Sequence, residues 1–167
     1  VTLEVVLSRA ALEWPVRVGA MRKAMHQCAA YEGAKRPDEN QERGGEDLDP
    51  WDEVQAACAE FAAAEALGRV WAGDIYKRKK TIDIPPDIEV RWTKHEDDGH
   101  LLVYNEDDAT RRYVLVTGYL PAFRVHGWID GNDAKRPEFL RPLRRGRPPG
   151  YFVPRERLSD PRLLQLW

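Results

Sequence analysis

The sequence predicts an α+β domain, with a mainly antiparallel or mixed four-stranded sheet packed by an alanine-rich helix and preceded by an N-terminal helix. Three observations lead there. Up to Trp71 the apolar residues recur at helical spacing, and beyond it they alternate with polar ones. Seven alanines fall between positions 56 and 66, which makes one helix thin enough to lie close to a sheet. The connections Glu96–Gly99 and Asn105–Thr110 are short and polar, which favours antiparallel hairpins.

Taken in order, Val1–Leu7 is β-branched and apolar and fits a short strand or extended arm. Ser8 is placed to cap a helix running to about Tyr31, with Leu12, Val16, Met21, Met25 and Cys28 as its apolar face and Pro15 inside it. Gly33 and Pro37 end that helix. Residues 32–49 are acidic, polar and glycine-containing, and read as a mobile loop. Asp49-Pro50 is a helix-start signal for a segment with Trp51, Val54, Cys58 and Phe61 as one stripe, closed by Gly68 or Gly73. Strands follow at Asp87–Trp92, His100–Tyr104, Arg112–Tyr119 and Phe123–Ile129, the third of them central. Asp130 is placed to cap a short helix from Asn132 to about Leu140, and Tyr151–Val153 fits an edge strand. The expected organisation is an arm and helix (1–31), an acidic loop (32–49), the α+β core (50–158) and a C-terminal tail (159–167).

Composition bounds the function. The chain has 167 residues, 43% of them hydrophobic and 32% charged, which excludes wholesale disorder. No apolar run reaches the roughly 18 residues of a membrane span. Glu4, Arg9 and Glu13 interrupt the start, so no secretory signal is expected. Cys28 and Cys58 are too few for a disulfide framework or a four-thiolate zinc site, and a reducing cytoplasm is the expected location. The net charge of −2 hides an asymmetry: from Asp38 to Glu53 there are eight Asp/Glu against one Arg, and from Lys135 to Arg157 eight Lys/Arg against two Glu. Setting the acidic segment, at −7, aside leaves +5 on the remainder.

Chemistry is sought first among the carboxylates. Alternation places Asp87, Glu89 and Arg91 on one face of a strand, and Ile88, Val90 and Trp92 on the other. Asp83 lies just upstream, beyond Pro85-Pro86. Glu60 has Ala56, Ala57, Ala63 and Ala64 as its helical neighbours, so it sits on a small apolar face and needs a partner. Two partners are open. One is a hard divalent cation, Mg²⁺ or Mn²⁺, shared with Asp83 or Asp87 and with Glu89, which would activate water against a phosphoryl group. The other is Arg91 or another arginine, with no metal.

A helix carrying Glu60, then an Asp, then Ile88-Glu89-Val90-Arg91 on a strand resembles the PD-(D/E)XK nuclease superfamily. Over most of residues 50–158 the chain also resembles a group of uncharacterised phage and prophage proteins, through Glu60–Gly68, Asp83–Arg91, Val114–Gly118, Gly127–Ile129 and Tyr151–Pro154. The resemblance implies a restriction-endonuclease-like core, metal-dependent phosphodiester hydrolysis and a location in the cytoplasm of a bacterial host. Glu60, Asp83 or Asp87, and Glu89 would be the metal ligands, and Arg91 would contact the scissile phosphate. Arg91 stands where that superfamily has a lysine, and an arginine keeps its charge, which removes a proton-relay role. A catalytically inactive module that binds nucleic acid or a host protein is the alternative, and a phage structural or assembly protein the third reading.

Two basic stretches point to a nucleic-acid partner, with DNA the expected form. One is Lys77, Arg78, Lys79 and Lys80. The other is Arg141, Arg144, Arg145 and Arg147, set among prolines and followed by Tyr151 and Phe152. Cations neutralise phosphates and aromatics stack on bases. The four histidines lack metal-ligand spacing, no glycine-rich phosphate loop precedes a helix, and Ser8 and Ser159 stand outside any nucleophile motif.

Overall fold

The computed structural model describes residues 1–31, 51–75, 81–96, 99–143 and 148–166. The acidic segment 32–49, the Asp49-Pro50 helix start, Lys77, Arg78, Lys79, Lys80, Arg144, Arg145, Arg147 and Trp167 lie outside them. Among the described residues no helix is long and apolar enough to cross a membrane.

The chain is α+β, with one mixed four-stranded sheet and a second sheet of three strands. Strand β1 (Leu3–Val6) turns Leu3 and Val5 toward the core and Glu4 and Val6 to solvent. Helix α1 (Arg9–Tyr31) starts as expected: the Ser8 hydroxyl accepts the Ala11 N–H at 3.2 Å. Its buried line is Pro15, Val18, Gly19 and Arg22. Met21 and Met25, expected inside, are 49% and 39% exposed. Close approach decides this face. A Cβ on Gly19 would stand 2.5 Å from the Val54 Cα, so only glycine lets α1 come this near the next helix.

That helix, α2 (Asp52–Leu67), begins at Asp52 with Trp51 as its exposed cap residue. Asp52 and Glu53 in its first turn complement the helix dipole. Gly68, at φ 63°, closes it: Gly68 N–H donates to the Glu65 carbonyl and Arg69 N–H to that of Ala64, a Schellman ending. Ala57, Cys58, Ala59, Ala62, Ala63 and Leu67 are all buried, because α2 has α1 on one side and the sheet on the other.

The main sheet has the order β1-β5-β4-β2, with β2 (Ile88–Thr93) parallel to β4 (Arg112–Tyr119), and β4 antiparallel to β5 (Ala122–Asp130). β4 is buried on both faces and central, as expected. The expected hairpins across 96–99 and 105–110 do not form. Strand β3 (Leu101–Tyr104) leaves the main sheet and pairs with β7 (Gly150–Val153), which also pairs with β6 (Leu140–Arg141). Leu101 and Val103 are fully buried there, covering Tyr113, Leu115 and Ile129 on the main sheet's second face. Tyr151–Val153 is therefore central in its sheet, not an edge. The helix expected to run to Leu140 stops after one turn, α3 (Gly131–Ala134). Pro137 forces Arg136 into an extended conformation (φ −67°, ψ 144°) and opens a 3₁₀ turn.

Two cores result. Ile84, Ile88, Val90, Val114, Val116, Phe123 and Val125 pack beneath α2. Leu101, Val103, Tyr113, Leu115, Ile129 and Val153 fill the space between the two sheets.

Candidate functional site

Glu60 is 3% exposed and so is Arg22, which reaches it from α1. Arg22 Nη1 and Nη2 donate to Glu60 Oε1 and Oε2, each at 2.9 Å, in a two-pronged ion pair. Trp71 Nε1–H donates to Oε2 at 3.1 Å, and Arg22 Nε–H to the Asp74 carbonyl at 2.8 Å. The partner Glu60 requires is thus an arginine from α1. Burial and the neighbouring Glu60 carboxylate push the Cys58 thiol up to about 12, so it is inert.

Glu89 is on the other side of the sheet. Ile88 and Val90 belong to the core beneath α2, so alternation turns Glu89 and Arg91 to the opposite face. There the Arg91 guanidinium lies 5.2 Å from the Tyr113 ring centroid. Arg111 forms an ion pair with Glu89 and also donates to the Thr81 carbonyl at 3.0 Å. Arg91 Nη2 donates to Asp107 at 2.6 Å, and its Nη1 is 4.0 Å from Glu89. Asp107 in turn accepts the Tyr104 N–H at 2.8 Å. Burial opposes the Arg91 charge, but Asp107, then Glu89 and Asp83, outweigh it and hold its pKa above the ordinary value. Tyr113 is pushed well above its usual range by burial and by Asp107, and donates its hydroxyl proton to the Asp108 carbonyl at 2.8 Å.

Asp83 and Asp87 go elsewhere. Asp83, 5% exposed, accepts the Val90 N–H at 2.9 Å on the outer edge of β2, and its carbonyl accepts the Ala72 N–H at 2.9 Å. Beside it Ile84 and Ile88 exchange both backbone hydrogen bonds, at 3.1 and 3.0 Å. This edge strand is sealed by its own lead-in segment. Asp87 pairs with Arg112 at 3.6 Å, which also faces Asp130 at 3.8 Å and lies against the Trp128 ring.

These residues do not fit a shared divalent ion. Glu60 is separated from Glu89 by the sheet and is held on both oxygens by Arg22. One Asp83 oxygen is committed to backbone, and Glu89 is neutralised by arginine. Among the described residues no group of three or more His, Cys, Asp or Glu is placed to hold a metal. Of the basic residues singled out in the sequence, Arg141 alone is described; it is exposed on β6 and donates to the carbonyls of Glu138 and Leu140. Sequence reasoning missed Arg22, Arg111 and Asp107. The signal for Arg22 was its position one helical turn beyond Val18 and two beyond Pro15, on a face otherwise without charge.

No family model matches the chain, and comparison with curated proteins and with solved structures gives no match.

Proposed function

We propose that this protein is a nucleic-acid-binding module without hydrolytic chemistry. The observation that carries the reading is that Arg22, not a metal, completes Glu60, on the opposite side of the sheet from Glu89. The restriction-endonuclease-like core and the phage or prophage origin belong to the same proposal. They rest on the motif order between residues 50 and 158, in which Glu60, Asp87 and Glu89 of a nuclease-like pattern pair with arginines and Asp83 accepts a backbone N–H. A nucleic-acid partner is supported by the +5 charge outside the acidic segment and by the two basic stretches.

The test is to incubate the protein with single- and double-stranded DNA in Mg²⁺ or Mn²⁺, following cleavage on gels and binding by fluorescence anisotropy. Salt-sensitive binding without cleavage is expected. Cleavage that disappears in Glu89→Ala would overturn the reading.

A further inference from the structure

We propose that the outer edge of β1 docks an extended segment of a partner protein, which adds a fifth strand to the main sheet and sets a lysine or arginine opposite Glu4. This docking does not depend on the nucleic-acid reading.

The order β1-β5-β4-β2 leaves two edges. That of β2 is sealed by Asp83 and Ile84. That of β1 is open. Leu7 N–H donates to the Pro121 carbonyl at 2.9 Å, and the same register sets Val5 opposite Phe123 and Leu3 opposite Val125. Hydrogen-bonded pairs alternate along an antiparallel ladder. Leu3, Val5 and Leu7 therefore turn their backbone groups to β5, and Glu4 and Val6 turn theirs outward. Among the described residues, none meets the outward N–H and carbonyl groups of Glu4 and Val6. β1 has neither a proline nor a bulge, two devices that blunt a free edge. Donors and acceptors spaced along one extended chain are matched by another extended chain.

Side chains state what that chain carries. Leu3 and Val5 are only partly buried against the core, so an added strand covers them with apolar residues at alternate positions. Its other face continues the solvent side, where the Glu4 side chain is 74% exposed and Val6 is 73% exposed. Arg124 lies directly opposite Glu4, yet its guanidinium is shared. Nη1 donates to Glu96 at 2.8 Å, and Nε to Glu4 at 3.4 Å. One cation between two carboxylates leaves negative charge in excess at the open edge, and a cation on the next strand balances it. A second copy of this chain fits less well. Two β1 edges joined through the most residues would set the two Glu4 carboxylates directly opposite one another, where like charges repel.

The experiment titrates the ¹⁵N-labelled chain with the capped peptide Gly-Thr-Val-Lys-Val-Thr-Gly, and with the same peptide carrying glutamate in place of lysine. Amide shifts and hydrogen exchange are read by nuclear magnetic resonance, and sedimentation velocity gives the oligomeric state. The Glu4 and Val6 amides should shift and become protected from exchange. The glutamate peptide should bind roughly two- to thirtyfold more weakly. Glu4→Lys should reverse that preference. Val6→Pro removes an outward N–H without removing a bond to β5, and should abolish binding. Both variants are checked for folding by circular dichroism, and Glu4→Lys, a surface change, keeps the test decisive if Val6→Pro unfolds. Glu4 and Val6 amides that stay unmoved at millimolar peptide overturn the proposal. So does a preference that Glu4→Lys leaves unreversed. A dimer of the chain alone that protects the Glu4 and Val6 amides puts a second copy on the edge and overturns it as well.

Discussion

Arg22 and Glu60 meet in the interior, 38 positions apart in sequence, through two parallel hydrogen bonds of 2.9 Å. A residue on the N-terminal helix thereby fixes the side chain that the sequence offers most readily as a metal ligand. The pair joins α1 to α2 and, through Trp71 and the Asp74 carbonyl, to the chain leaving α2.

Removing one partner strands the other as an uncompensated buried charge. Glu60→Ala should cost about 3–5 kcal/mol of unfolding free energy, while the double change Arg22→Met with Glu60→Leu should recover most of it. Urea denaturation of the three proteins checks this. Equal losses in the single and double variants would show that the pair is not the reason for the burial.

Gly19→Ala tests the contact between α1 and α2. In an exposed helix the change would add up to about 1 kcal/mol. Here the new Cβ would stand 2.5 Å from the Val54 Cα, so a net loss of about 1–3 kcal/mol is expected, read as a lower thermal midpoint.

Asp83→Asn separates an edge-sealing role from a metal-binding one. Asparagine keeps an oxygen for the Val90 N–H, so stability should change by less than about 1 kcal/mol; Asp83→Ala leaves that N–H without its partner and should cost about 1–3 kcal/mol. Millimolar Mg²⁺ should leave the thermal midpoint of all three proteins unmoved.

His126 gives the pH dependence. The register of β4 and β5 shifts between Leu115 and Val116, leaving His126 as the extra residue, 2.8 Å from the Thr117 hydroxyl. Burial, then Arg155 and Arg124, lower its pKa to about 4. Its neutral form is the folded one, so its contribution is complete above the unfolded pKa near 6.5 and is lost as the pH falls from there toward 4. The loss should be on the order of 2 kcal/mol, discounted for partial exposure. His126→Gln should flatten the stability profile across that window relative to wild type, and parallel profiles would refute the assignment.

Much of the fold was legible because it is written locally. Ser8, Gly68 and the alternating run Ile88–Trp92 each state their conformation within a few residues. The placement of β3 was not, since a short polar connector serves a hairpin and a crossover to a second layer alike. The buried face of α1 was misread because Gly19 and Arg22 look like poor core residues until Val54 and Glu60 stand opposite them. At the candidate site the need of Glu60 for a partner was readable, and an arginine partner was one of the two readings left open. Which arginine, and that strand alternation would put Glu89 behind the sheet from Glu60, depended on the helix packing on the Ile88–Val90 face, a long-range choice.

The most direct test of the central claim is a Mn²⁺ titration of the intact protein followed by electron paramagnetic resonance. The arrangement of Glu60, Asp83 and Glu89 predicts no ion bound in a manner that depends on Glu89, so wild type and Glu89→Gln should give the same isotherm. A single Mn²⁺ held by wild type and lost in Glu89→Gln and Asp83→Asn would contradict it.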